Sequence, residues 1–204
     1  MNRVYTELLR SKTVAVQASG RLTEESLGWL NEHVGAGFAV LEKPFDSYRQ
    51  LHDEESDITL VGRANTDIAQ SVAVGDADFG IMGSDKVYEQ AHLLEEGLIR
   101  VQHTLGFSAC YLVYVENTEN PESNEIVTSY PRQAREFAEL AGMNANILHM
   151  HGGIESIARR RKSHMVEIQV TGSAMKRNGF DPDNSRIISN HSAVLLGQGP
   201  ALLG

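Results

Sequence analysis

The stretch Val166–Met175, VEIQVTGSAM, decides the fold. A β-rich apolar strand runs through Val170, Thr171, Gly172 and Ser173 directly into a helix. A strand that enters a helix through a tight glycine turn is the unit from which α/β sheets are built. The same turn can make an anion cup. N–H groups of a first helical turn have no intrahelical acceptor, Gly172 lets the backbone come close, and Thr171 and Ser173 add hydroxyl donors. Glu167, inside the strand, offers acceptors for sugar hydroxyls. An ordinary turn with a Ser N-cap has the same spacing. The stretch is no Walker motif, and spacing alone leaves both readings open.

The same unit recurs nearer the N-terminus. Thr13–Gln17 (TVAVQ) reads as a buried strand, and QASGRL at Gln17–Leu22 carries it through Ser19 and Gly20 into a helix over Leu22–Val34. Leu27, Leu30 and Val34 share one face of that helix, and Gly35 stops it. Arg21 in the turn suits a bidentate grip on phosphate, or is a solvated helix-start arginine. Further strands are expected at Phe38–Leu41, Ile58–Val61, Asp78–Met82, Leu98–Thr104, Ala109–Val115, Ile126–Thr128, Asn146–Met150, Met165–Gln169 and Arg186–Ser189. Helices are expected at Thr66–Val74, Asp85–Glu96, Pro131–Ala141 and Ser173–Asn178. Glu116–Asn124 is the most loop-like stretch. The alternation predicts parallel sheets in two small α/β lobes with a cleft between them. Ligands in such folds sit at the carboxyl ends of strands.

The 204 residues carry 18 Lys+Arg against 27 Asp+Glu, a formal charge of −9. That balance argues against a nucleic-acid or anionic-membrane partner but not against a small anion. The single cysteine, Cys110, excludes an intrachain disulfide and a Cys-based zinc site, and reads as a packed small hydrophobe. The start MNRVYTELLRSK lacks the apolar core of a signal peptide, and no apolar run approaches the ~18 residues of a membrane helix. A cytoplasmic setting is expected. His149 and His151 alternate on one strand face, with only Glu155 near as a third ligand, so no transition-metal site is assigned. Phe79–Asp85 (FGIMGSD) is a strand followed by a glycine turn, which permits either nucleotide approach or the turn alone. Arg159–Lys162 is a basic run, either a solvated helix end or a rim that attracts polyphosphate.

Taken in order, QASGRLTEESL, GRANTDIAQSVAVGDADFGIMGSD, LGFSACYLVYV, IVTSYPRQAREFAELAGM, HGGIES and VEIQVTGSAMKRNGF resemble the catalytic subunit of ATP phosphoribosyltransferase in its short form. The resemblance covers nearly the whole chain. It implies a two-lobed α/β fold like the type II periplasmic binding proteins, with residues 1–104 and 180–204 in one lobe and 105–179 in the other. It implies that N1 of the adenine of ATP attacks C1 of phosphoribosyl pyrophosphate (PRPP) with Mg²⁺ present, the first step of histidine biosynthesis. It further implies that Val170, Thr171, Gly172, Ser173 and Ala174 cradle the 5-phosphate and that Glu167 meets the ribose hydroxyls. Arg21, Glu155 and Glu167 are implied as the catalytic set. Ser19, Gly20, Arg21, Arg63 and Asp85 are implied to bind nucleotide. A homo-oligomer and a regulatory subunit are implied as partners. The chain departs from the family pattern at Ala18, Tyr111 and Ala174, where the family usually has Lys, Arg and Thr. Two alternatives follow: the same chemistry in coformycin- or pentostatin-type antibiotic pathways, and a non-catalytic nucleotide-binding module.

Overall fold

The computed structural model describes residues 3–38 and 50–199. The chain divides into two compact units, Met1–Ser108 with Ser192–Gly204, and Ala109–His191. The first unit contains α1 (Arg3–Leu9), β1 (Thr13–Gln17), α2 (Arg21–Val34), β2 (Gln50–Asp53), β3 (Ile58–Arg63), α3 (Ile68–Ala73), β4 (Phe79–Gly83), α4 (Ser84–Glu89), α5 (Ala91–Glu95) and β5 (Ile99–Thr104). The second contains β6 (Cys110–Val115), β7 (Glu125–Thr128), α6 (Pro131–Leu140), β8 (Asn146–His149), α7 (Ile154–Arg161), β9 (His164–Gln169), α8 (Ser173–Arg177) and β10 (Ser185–His191). The last strand, β11 (Ala193–Gln198), returns to the first unit.

The first sheet has the order β2-β3-β1-β4-β11-β5 and the second β10-β6-β9-β7-β8. Strand β1 is parallel to β3 and β4, and β7 is parallel to β8 and β9. The other pairings are antiparallel, so both sheets are mixed where the alternation predicts parallel sheets.

Both faces of β1 are covered, which is why TVAVQ reads as one apolar run. Val14 and Val16 pack with Leu27, Leu30 and Val34 of α2. Ala15 faces the other way, against Ile68 and Val72 of α3. A Cβ on Gly80 would lie 2.6 Å from Ile68 Cγ2, so the glycine is what lets α3 sit this close to β4. In the second unit Val113, Val115, Val127 and Met165 pack under α7 and α8, while Leu112, Tyr114, Ile126 and Val166 pack under α6. Burial, and secondarily Glu116, push the Tyr114 phenol up to about 12, so it stays a neutral donor.

The strand predicted at Arg186–Ser189 differs in placement. Residues 180–204 were expected in the first lobe, yet Ser185–His191 runs antiparallel to β6 in the second sheet. The first-lobe return is made by β11, which has no counterpart among the predicted strands. The burial of each strand explains this. Ser185–His191 has no fully buried residue and suits an edge, whereas Ala193–Gly197 is buried throughout and fits between β4 and β5. The single helix predicted over Asp85–Glu96 breaks at Gln90, whose φ of −105° and ψ of 28° are not helical. Residues 39–41 of the strand expected at Phe38–Leu41 lie outside the described residues, and Phe38 itself is not in a strand. Helix α1 and strand β2 are not among the elements expected from the sequence, although Tyr5, Leu8 and Leu9 of α1 stand at the i, i+3, i+4 spacing of one helix face and pack into the first core.

The loop after β6 is tied down at the amino edge of the parallel strands. His164 Nδ1 accepts the Asn117 N–H (3.0 Å), and its Nε2–H donates to the Ser123 carbonyl (2.9 Å). Arg161 grips Glu125 with two bonds of 2.6 Å, Ser163 adds a third at 2.6 Å, and Arg159 pairs with Glu119 at 2.7 Å. The basic run 159–162 therefore caps the carboxyl end of α7 and staples this loop. Arg159 and Arg161 are engaged in these pairs at the helix end, and Arg160 and Lys162 are exposed beside them.

The Arg161 guanidinium, with Ser163, holds the Glu125 carboxyl below its ordinary value despite some burial. A lowered folded value stabilises the protein at pH above the ordinary carboxylate range, and that stabilisation fades as pH falls through the lowered value. Glu125→Gln is expected to lower Tm at pH 7, with the difference from the parent closing toward pH 3. Thermal denaturation across that range checks it, and a constant difference would disprove the pairing.

Candidate functional site

Because β3, β1 and β4 are parallel, their carboxyl ends share one edge of the first sheet. Three turns leave that edge. The Ala18 N–H donates to the Arg63 carbonyl (2.9 Å), joining the turn after β1 to the end of β3. Gly20 has a φ of 104°, a conformation that favours glycine, and Thr23 Oγ1 donates back to the Gln17 carbonyl (2.7 Å). Arg21 opens α2 and is exposed, with Glu25 Oε1 at 3.9 Å as its ion-pair partner. Ser108 hydrogen-bonds the same Glu25. Arg63 is tied to Asp76 by a 2.6 Å bond. Asp85 is buried in the first turn of α4, its carboxylate folded over Gly83. Ser19, Gly20, Arg21, Arg63 and Asp85 thus belong to one edge.

The second unit repeats the arrangement. The carboxyl ends of β9, β7 and β8 share one edge, followed by Val170–Ser173, Ser129–Tyr130 and Met150–Gly153. Pairing of β7 with β9 ends at Thr128 opposite Val166, while β9 continues to Gln169 along β6. Beyond that point, at Glu167 and Ser129, the two strands are no longer paired. The carboxylate is half-buried there, accepting from Ser129 Oγ (2.9 Å) and the Ile168 N–H (2.9 Å). Ser129 has no role in the sequence reading. Its one signal is its position between a strand end and the Pro131 that opens a helix.

Thr171 Oγ1 donates to Ser173 Oγ at 3.1 Å, and both residues are exposed. Gly172 is buried with a φ of 68°, and a Cβ there would stand 2.7 Å from Pro182 Cγ. The glycine thus serves packing and turn conformation as well as close approach. Val170 is 48% exposed and Ala174 half-buried. Glu155 lies half-buried in the first turn of α7, after Gly153 in left-handed conformation. Tyr111 is 47% exposed and pairs across the sheet with Gln169, one residue before the loop. Cys110 is half-buried at the start of β6. The rings of His149 and His151 are 4.6 Å apart at the same edge. Among the described residues no group of three or more metal-ligating side chains stands together. No helix among them is long and apolar enough to cross a membrane.

Two α/β units, each with strand-to-helix glycine turns at a carboxyl edge and a chain that returns to the first, define the class: a two-lobed protein built like the periplasmic binding domains. A periplasmic VFT2 domain of BvgS from Bordetella pertussis shares the fold at a TM-score of 0.53 and 11% identity, covering 96% of this chain and 84% of that one. The ATP phosphoribosyl transferase of Thermotoga maritima, solved as a HisG:HisZ complex, shares it at 0.67 and 21%, covering 92% and 87%. The family model described as HisG: ATP phosphoribosyltransferase matches residues 64–201. The ATP phosphoribosyltransferase of Staphylococcus saprophyticus is 30% identical over 188 residues, which are 87% of this chain and 86% of that protein. The chain belongs to the ATP phosphoribosyltransferase family.

Gly172→Ala is expected to destabilise the protein by at least about 1–2 kcal/mol, the penalty of a left-handed non-glycine residue, with the Pro182 contact adding to it. Thr171→Ala Ser173→Ala should leave Tm nearly unchanged, because both side chains are exposed. Denaturant titration of the two variants tests this, and a Gly172→Ala protein as stable as the parent would contradict the packing seen here.

Proposed function

We propose that this chain joins N1 of the adenine of ATP to C1 of PRPP and releases pyrophosphate, the first step of histidine biosynthesis. The family match over residues 64–201, with 30% identity to a named relative across most of the chain, carries this reading. The name of that relative favours it over diversion into nucleoside antibiotics and over a binding-only module.

The reaction separates a ribosyl cation from a departing polyanion. The protein's work is therefore alignment and charge stabilisation more than proton transfer. In our reading the turn Val170–Ala174 takes the 5-phosphate on N–H groups of the first turn of α8 and the Thr171 and Ser173 hydroxyls. Glu167 accepts from the ribose hydroxyls where the pairing of β7 with β9 ends, and Glu155 stands on the neighbouring turn. The nucleotide uses the first unit, through Ser19, Gly20, Arg21, Arg63 and Asp85. Arg21 is easily recruited. An exposed pair to Glu25 is worth about 0.5 kcal/mol, against roughly 1.5–3 kcal/mol for a charge-assisted bond to phosphate. Arg63 must exchange Asp76 for the ligand or serve by holding the edge. Mg²⁺ fits best as part of the substrate, chelated by the diphosphate of PRPP, since it is usually held through phosphates rather than in an all-protein cage. We extend to this chain a homo-oligomeric state, a regulatory subunit like the HisZ in the Thermotoga maritima complex, and a cytoplasmic setting.

Incubation with ATP, PRPP and Mg²⁺ should give phosphoribosyl-ATP by mass spectrometry, and Arg21→Ala should lower turnover about tenfold or more at unchanged Tm. Arg21→Lys should recover only part, because a point charge replaces a planar fork. Full activity in the alanine variant would leave Arg21 outside the site.

A further inference from the structure

We infer that the second unit carries a binding pocket for a small zwitterion of the amino-acid type, at the edge opposite the glycine turn, with Arg186 and the Tyr114 hydroxyl on its carboxylate and Glu116 and Asp183 on its ammonium group.

The pocket has a volume of about 260 Å³ and is lined by Tyr114, Glu116, Asp183, Asn184, Ser185 and Arg186. Strand β6 runs antiparallel to β9, with Tyr111 beside Gln169 and Val115 beside Met165. Tyr114 is therefore three residues, about 10 Å, from the end of β6 that adjoins the glycine turn. None of the residues assigned to phosphoribosyl transfer lines the pocket, so the inference stands apart from that reading.

Tyr114 and Arg186 face each other across β6 and β10. The guanidinium carbon lies 6.0 Å from the centre of the Tyr114 ring and 5.9 Å from that of Phe137. Stacking on rings holds a guanidinium in place and leaves its N–H donors open to a ligand. Among the described residues Arg186, Glu116 and Asp183 form no ion pair. Tyr114 is 6% exposed, and its hydroxyl makes no hydrogen bond among the described residues. A buried hydroxyl without a protein partner calls for one from outside the chain. Glu116 and Arg186 both act electrostatically on this phenol, so it stands between a negative and a positive side chain that are not paired with each other.

Charge selects the ligand. Two carboxylates against one guanidinium disfavour a phosphate or polyphosphate, and the guanidinium and phenol offer an isolated ammonium only donors. A carboxylate fits the arginine fork and the phenol donor, and an ammonium on the same molecule meets the two acidic side chains. The walls are already ordered. Asp181 Oδ1 accepts the Asp183 N–H at 3.0 Å, Ser185 Oγ donates to the Pro182 carbonyl at 2.6 Å, and the Asn117 N–H beside Glu116 is held by His164. Little ordering is left to occur on binding.

Amide shifts of the isotopically labelled full chain are followed on titration with each of the protein amino acids. At least one should move residues 114–117 and 183–187, with a Kd of about 1 mM or tighter. Its methyl ester and its N-acetyl derivative each lack one charge and should each bind at least about tenfold more weakly, the size of one hydrogen bond to a charged group. Arg186→Gln and Glu116→Gln should each weaken binding by the same factor at nearly unchanged Tm, because both side chains are exposed. Tyr114→Phe keeps both rings and should weaken binding without lowering Tm, since the lost hydroxyl has no protein partner. Silence of residues 114–117 and 183–187 toward every amino acid at about 10 mM overturns the inference. So do an ester and an N-acetyl derivative that bind as tightly as the amino acid itself.

Discussion

The parallel pairing of β7 with β8 and β9, repeated by β1 with β3 and β4, is the constraint on which the rest depends. Parallel strands must be joined by crossovers, and crossovers put every strand-to-helix turn of a set on the same edge. The glycine turns, the arginine of the SGR turn and the Glu167 carboxylate are distant in sequence or in different units. Each reaches a carboxyl edge for the same geometric reason. Strand β11 brings Ser192 to the first of these edges, where the Ser84 N–H donates to the Ser192 carbonyl, and β5 ends beside it, the Leu105 N–H donating to the Ala193 carbonyl.

That constraint also explains how a chain of net charge −9 can handle polyanions. The groups available at the edges are backbone N–H donors, hydroxyls and very few guanidinium groups, which act at contact distance rather than through a long-range positive field. The concentrated positive charge of the chain, at 159–162, is spent on Glu119, Glu125 and a helix end at the opposite edge of the second unit. The same unit shows the cost of a tight turn: Gly172 has to satisfy a left-handed backbone and the Pro182 side chain before it can serve any ligand.

Much of this architecture is legible in the sequence where one physical signal dominates. TVAVQ and the Leu27/Leu30/Val34 stripe declare a buried strand and its helix because burial on both faces and a 3.6-residue period leave few alternatives. The resemblance to ATP phosphoribosyltransferase carried the order of elements and the two-unit plan, and the family match bears out that identification. What was not legible depends on partners far away in the chain. Ser185–His191 and Ala193–Gln198 are both short strands, and only the sheet each joins separates an edge strand from a central one. Ser129 is an unremarkable residue until β9 is laid beside β7. The Arg161–Glu125 and His164–Asn117 contacts span long sequence separations that no local pattern reports.

We place the phosphoribosyl group at the carboxyl edge of β9, β7 and β8. Amide chemical-shift mapping with PRPP and Mg²⁺ on the isotopically labelled full chain tests it most directly. Within the second unit, the large shifts should fall on residues 129–130, 150–155 and 167–174, with the loop at 116–124 unmoved. Shifts concentrated at 116–124 and 159–162, with the 170–174 turn silent, would contradict it.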